Sequence, residues 1–259
     1  MHIKLIFLLF LVLSMFLGMG MSPERANAQD AETTREFRKA VISAIQKSVV
    51  LIGQAQRPTE GENLIVQHTL GTGFLVDREY TVATVRSRFT KHVDKERLVV
   101  KFRSAIDRDT FQILPARILY EFPNKDLAFL RVEGSPSDMS GLGRLELIKS
   151  VTEIERLAAE TVIVAGLPRL GDFNRDYPIL RRGIISSTDL RMSGSPLILL
   201  DLLGIPGFSG APVVVERTGR VIGMIPGPGS VKGSDGFQWA IPLTAEDYRR
   251  AINASIPSE

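Results

Sequence analysis

Beyond residue 48 the chain is written in short apolar runs, each closed by glycine, proline or charged residues, and that rhythm excludes most folds. Val, Ile, Leu and Phe in runs of about four to eight residues suit a pleated surface, and the intervening turn residues end each strand. The run at 49–53 is expected to be the first strand, and those at 64–66, 73–76, 80–85, 98–102, 116–120 and 127–132 form one set after it. Those at 161–165, 183–187, 197–201, 212–215, 221–225 and 237–241 form another, after a break over 133–143. Around six short strands, a pause and six more predict an all-β chain of two six-stranded antiparallel β-barrels, at about 48–135 and 145–245. Short helices are expected at both ends. Phe37, Val41, Ala44 and Ile45 recur at helical spacing within 29–47, and Thr244 caps a closing helix that carries Tyr248 and Ile252, with the tail running through 246–259.

The first residues read as an export signal. His2 and Lys4 precede an apolar stretch over 5–21, and Ala26-Asn27-Ala28 then offers a small-x-small cleavage site before Gln29. The competing reading is an uncleaved membrane anchor, against which the short stretch and Gly18 and Gly20 weigh. Residues 1–28 are therefore expected to leave. The mature chain would be periplasmic or secreted, with no stable membrane anchor.

The chain holds no cysteine, which excludes disulfides, thiolate metal sites and thioether haem attachment. No pair of histidines stands at ligand spacing, and the acidic residues follow no calcium-loop pattern. Asp94, Glu96, Asp107 and Asp109 read as solvated loop carboxylates. No metal or cofactor is expected. A net charge of +3 is small for 259 residues, and no basic block interleaved with aromatics occurs, so nucleic acid is not an expected partner.

The chemistry concentrates at Gly207-Phe208-Ser209-Gly210-Ala211-Pro212, which leads into Val213-Val214-Val215. A serine flanked by small residues on a tight loop presents its hydroxyl beside free backbone N–H groups, the donors a developing oxyanion needs. Such a serine also needs an acceptor for its proton, most often histidine. The chain has only three histidines: His2, His68 and His92.

Several further motifs occur in a fixed order. Gly71-Thr72-Gly73-Phe74-Leu75-Val76 comes first, then Asp126-Leu127-Ala128-Phe129-Leu130-Arg131-Val132 and Val164-Ala165-Gly166-Leu167-Pro168. Gly183-Ile184-Ile185-Ser186, the serine loop, Val221-Ile222-Gly223 and the stretch 237–242 follow. In that order they resemble the trypsin-like serine peptidases of bacteria, particularly the protease domain of the HtrA kind, over about residues 48–245. The resemblance implies the trypsin-like fold, Ser209 as nucleophile, an oxyanion hole from the N–H groups of Gly207 and Ser209, and Asp126 orienting a histidine. It implies a polypeptide substrate or protein ligand. Ala211 stands where the family's motif has a second glycine. HtrA-type proteins usually carry a peptide-binding PDZ domain after the protease domain; the expectation here is a protease domain without one, which leaves the oligomeric state open.

The base is the open question. Without gaps, Tyr80-Thr81-Val82-Ala83-Thr84-Val85 brings Arg86 to the position of the family's histidine. Arginine keeps its proton at any ordinary pH and cannot accept one from a hydroxyl. With an insertion, Phe89-Thr90-Lys91-His92-Val93 resembles the histidine stretch instead and makes His92 the base; otherwise His92 is an exposed loop residue. His68 reads as a strand-face residue, and His2 leaves with the signal. In the substrate-pairing segment, Ile225-Pro226-Gly227-Pro228-Gly229 brings a proline, expected at Pro228, that lacks a donor for a substrate strand.

Two readings therefore stand. One is an exported endopeptidase working through an acyl-enzyme on Ser209, with His92 and Asp126. The other is a pseudopeptidase, with Arg86 in place of the base, that binds peptide or protein without cutting it. A third reading, an envelope interaction module using the apolar stretch 197–206 as a contact face, is the weaker one, because such runs are more often core.

Overall fold

The computed structural model of the chain describes residues 23–56, 64–89, 92–103, 110–135, 137, 139, 141–168, 177–192, 194–204, 206–227 and 237–256, with side chains from residue 32. The chain divides into two compact units, 1–40 and 41–259. In the first, the described residues are the opening turns of helix α1 (Pro23–Ser48), with an exposed Lys39–Glu36 ion pair. At 26 residues this helix is far longer than the short one expected over 29–47, and the proposed cut at 28/29 falls inside it. Pro23 at its start needs no N–H partner and already holds a helical φ. The apolar stretch 5–21 lies outside the described residues. Among the described residues, no helix is long and apolar enough to cross a membrane.

The second unit contains both barrels. The first is formed by β1 (Val49–Ala55), β2 (Val66–Leu75), β3 (Thr81–Thr84), β4 (Leu98–Arg103), β5 (Phe111–Glu121) and β6 (Ala128–Val132), closed in the order β1-β2-β3-β6-β5-β4. The second is formed by β7 (Thr161–Gly166), β8 (Ile179–Met192), β9 (Ser195–Asp201), β10 (Pro212–Val215), β11 (Val221–Met224) and β12 (Phe237–Pro242), closed as β10-β11-β12-β9-β8-β7. Every pairing in both barrels is antiparallel. A one-turn helix α2 (Val151–Ile154) precedes the second barrel, and α3 (Ala245–Ser255) closes the described chain.

The runs read separately at 64–66 and 73–76 belong to one strand, β2, with Gly71 and Gly73 inside it. Those glycines do not end the strand. A Cβ on Gly73 would come within 2.6 Å of Val82 Cγ1 and 2.9 Å of Ile52 Cδ1, so the residue is small because its neighbours lie against its backbone.

Alternation fills the barrels. Val50 and Ile52, Leu98, Val100 and Phe102, and Ala128, Leu130 and Val132 face the interior of the first at the two-residue period of a strand. The intervening residues Val49, Phe74, Ala83, Leu127 and Phe129 join Ile163, Ala165, Val214, Val221 and Met224 of the second barrel in one buried cluster. Strands at this seam are buried on both faces, which is why β10 reads as unbroken valine rather than as an alternating pattern. The apolar stretch after residue 196 belongs to this interior too: Leu197, Ile198, Leu200 and Leu202 are buried in the second barrel.

Helix α3 follows the second barrel in sequence but grips the first. Thr244 and Asp247 form a reciprocal capping box at its start. Lys125 Nζ reaches Asp247 Oδ2 at 2.7 Å, and the Tyr248 ring packs edge-on against Phe129 at 5.7 Å. Tyr248 Oη donates a short hydrogen bond to Asp77, whose other oxygen accepts from the N–H groups of Glu79 and Thr81 in the β2–β3 turn.

Burial, followed by the Asp77 hydrogen bond and charge, raises the Tyr248 phenol above its ordinary pKa of 10.0. The folded state therefore holds that proton where the unfolded chain releases it. The stabilisation is complete below pH 10 and declines as the pH rises beyond it. In urea titrations at pH 9 and 11, the wild type should lose more stability over the interval than Tyr248→Phe; equal losses would remove Tyr248 as the cause.

Candidate active site

Ser209 lies on the turn before β10 and is 8% exposed. Gly207 and Gly210 take φ values of 95° and 86°, backbone that side chains rarely adopt, and they fold the loop tightly around the serine. At Gly210 a Cβ would also collide with the Thr72 carbonyl. Within the loop, Ala211 N–H donates to Phe208 O at 2.8 Å and Gly210 N–H to Ile225 O at 2.8 Å. The Phe208 ring lies on Gly166, where a Cβ would approach it to 2.8 Å. Ala211 is fully buried.

The loop is held from the other barrel by Thr72 of β2, itself fully buried. Its N–H donates to Ser209 O at 2.9 Å, and its hydroxyl donates to Gly207 O at 3.0 Å while accepting from Leu167 N–H at 3.0 Å. Its carbonyl accepts from Thr84 Oγ1 at 2.8 Å. Gly71 lies so close beside it that a Cβ would meet Ser209 O at 2.9 Å. The N–H groups of Gly207 and Ser209 donate to no backbone carbonyl among the described residues.

Asp126 lies between β5 and β6, and its carboxylate is well satisfied. Oδ1 accepts from Ser87 N–H at 2.6 Å, and Oδ2 accepts from Ser87 Oγ at 2.9 Å and Gly227 N–H at 3.1 Å. Ser87 is the middle residue of a 3₁₀ turn, Arg86–Arg88, that follows β3. The next residue turns toward the serine: Arg88 Nη2 donates to Ser209 Oγ at 2.9 Å. Desolvation lowers the Arg88 pKa from its ordinary value, with the Asp126 charge pulling it back up. Its Nε is buried with no hydrogen-bond partner among the described residues.

Arg86, the residue reached without gaps, turns away, and its Nη1 donates to Pro123 O at 2.9 Å. His92 is an exposed residue in the turn ahead of the 3₁₀ segment Lys95–Arg97, and Arg88, not an imidazole, is the group bonded to Ser209 Oγ. His68 is exposed on β2, opposite Gln54 of β1. Pro228 lies outside the described residues. Among the described residues, no group of His, Asp and Glu forms a metal cluster.

The profile of the trypsin-like peptidase domain matches residues 71–224, from the glycine beside Ser209 O to the end of β11. The chain belongs to the trypsin-like peptidase domain family. Among solved structures, the HtrA-type protease AlgW with decapeptide is similar in fold, with a TM-score of 0.58 at 19% identity. That match covers 84% of this chain and 66% of the AlgW chain. No curated protein matches the sequence.

In a trypsin-like peptidase one imidazole touches both the carboxylate and the nucleophile. Here two neighbouring residues divide those contacts, Ser87 taking Asp126 and Arg88 taking Ser209. Sequence reasoning placed an arginine at the base position but assigned it to Arg86 and missed Ser87 altogether. The signal for Ser87 was faint: it is the one small hydroxyl residue in Val85-Arg86-Ser87-Arg88, and so the one short side chain able to donate to a nearby carboxylate.

Replacing Thr72 by the isosteric valine keeps the packing but leaves Gly207 O and Leu167 N–H without their partner. At about 1–3 kcal/mol for each unsatisfied group, Thr72→Val should cost about 2–6 kcal/mol in urea unfolding. A loss within error of zero would show that the hydroxyl does not hold the loop.

Proposed function

We propose that this trypsin-like domain is an exported, catalytically impaired member of the peptidase family that binds polypeptide without cutting it. One observation carries the reading: the group on Ser209 Oγ is the Arg88 guanidinium. A guanidinium donates and does not accept, so the hydroxyl cannot pass its proton to it as it attacks. Asp126 does not take its place: the carboxylate's hydrogen bonds go to Ser87 and Gly227, and the contact on Ser209 Oγ is made by Arg88. In serine peptidases, removing the base alone costs about 10⁶-fold in kcat. Retention of the barrels and the glycine turn, with the Gly207 and Ser209 N–H groups given to no backbone carbonyl among the described residues, suits the site to a peptide carbonyl. Binding of polypeptide is supported by the fold neighbour, a protease described with a decapeptide. Export is supported by the sequence over 1–28, and N-terminal sequencing of protein recovered from the periplasm or medium should begin at Gln29.

A fluorophosphonate probe on purified mature protein tests the chemistry. The wild type should not label at Ser209. The double variant Ser87→His/Arg88→Ala places an imidazole beside Asp126 and removes the guanidinium, and it should gain labelling that Ser209→Ala abolishes. Wild-type labelling at Ser209 that disappears in His92→Ala would overturn the reading and restore His92 as base.

A further inference from the structure

Resting on that reading, we infer that the cleft recognises a carboxylate on its peptide ligand, with Arg88 and the Ser209 turn as the receiving groups. The side chain bonded to Ser209 Oγ is a donor. Arg88 brings a full positive charge to the hydroxyl at 2.9 Å. Because Arg88 occupies a lone pair of Oγ, the serine proton is directed elsewhere, and with no base beside it the hydroxyl remains a donor. The N–H groups of Gly207 and Ser209 add two more, neither given to a backbone carbonyl among the described residues.

The acceptor that could compete is held back. Asp126 is bound by three donors, Ser87 N–H, Ser87 Oγ and Gly227 N–H, and faces the 3₁₀ turn. Its attraction for Arg88 is outweighed by the desolvation of the guanidinium. Arg88 also keeps a buried Nε–H with no partner among the described residues. An anion arriving at Ser209 therefore meets a partly desolvated cation and neutral donors.

A peptide carbonyl would occupy the two N–H groups but leave the guanidinium charge answered only through space by Asp126, which does not outweigh its desolvation. A planar carboxylate answers both, one oxygen toward the turn and the other toward Arg88, and charge-assisted hydrogen bonds of this type are roughly twice as strong as neutral ones. The carboxylate can be the free C-terminus of a chain or an Asp or Glu side chain, and peptide chemistry separates the two.

The test uses the mature protein, immobilised, and randomised N-acetyl hexapeptide pools read by mass spectrometry. One pool has a free C-terminal acid and no Asp or Glu, a second is its C-terminal amide, and a third is an amide with one internal Asp or Glu. The expected result is retention of a carboxylate pool over the plain amide by about tenfold or more, falling to parity in both Arg88→Ala and the more conservative Arg88→Gln. Enrichment of the acid pool assigns a chain terminus, and enrichment of the third pool a side chain. Equal retention of all three pools by the wild type would sink the carboxylate site while leaving peptide binding intact. A preference that survives in a folded Arg88→Gln variant would sink the role of Arg88. Cleavage of the amide pools would overturn the impaired-peptidase reading instead.

Discussion

Thr72 engages the serine loop with its N–H and its hydroxyl. These fasten a β2 residue of the first barrel to the Ser209 turn of the second, while the hydroxyl also accepts from Leu167 N–H and the carbonyl is tied to Thr84 within the first barrel. Gly71 and Gly210 on either side are small because the two backbones approach too closely for a Cβ. The turn is therefore shaped by barrel-to-barrel contacts and by left-handed glycines. Nothing in that set of contacts requires a base. The nucleophile loop can keep its form while the chemistry beside it changes.

What changes is confined to one short turn. A single imidazole would join Asp126 to Ser209. Ser87 and Arg88 divide the two contacts, because a 3₁₀ turn presents consecutive residues to different neighbours. Ser87 satisfies the carboxylate, and the guanidinium covers the hydroxyl. Both substitutions leave their polar partners hydrogen-bonded, which avoids the cost of an unpaired carboxylate or hydroxyl in a partly buried cleft.

The barrels were legible because their determinants are local. Turn residues mark strand ends, and valine runs mark strands buried on both faces, as at β10. The two halves of β2 were read apart because glycine within a strand mimics a terminator; what keeps Gly71 and Gly73 in the strand is contact with Ser209, Ile52 and Val82, far away in sequence. Helix α1 was read short because apolar spacing stops before Ala31, whereas its first turns carry a polar sequence from Pro23. The arginine beside the nucleophile was anticipated in kind and misplaced by two residues. The register of that turn is set by Ser87 N–H on Asp126, a tertiary hydrogen bond that no local pattern encodes.

The grip of α3 on the first barrel has a bearing on assembly. Tyr248 and Asp247 fasten to Asp77 and Lys125, residues synthesised much earlier, while the second barrel occupies the sequence between. Such distant pairings carry a large loop-closure penalty and slow folding. The β2–β3 turn can gain its tyrosine only when the chain through both barrels is present, so the finished clasp reports that the strands between have all been made.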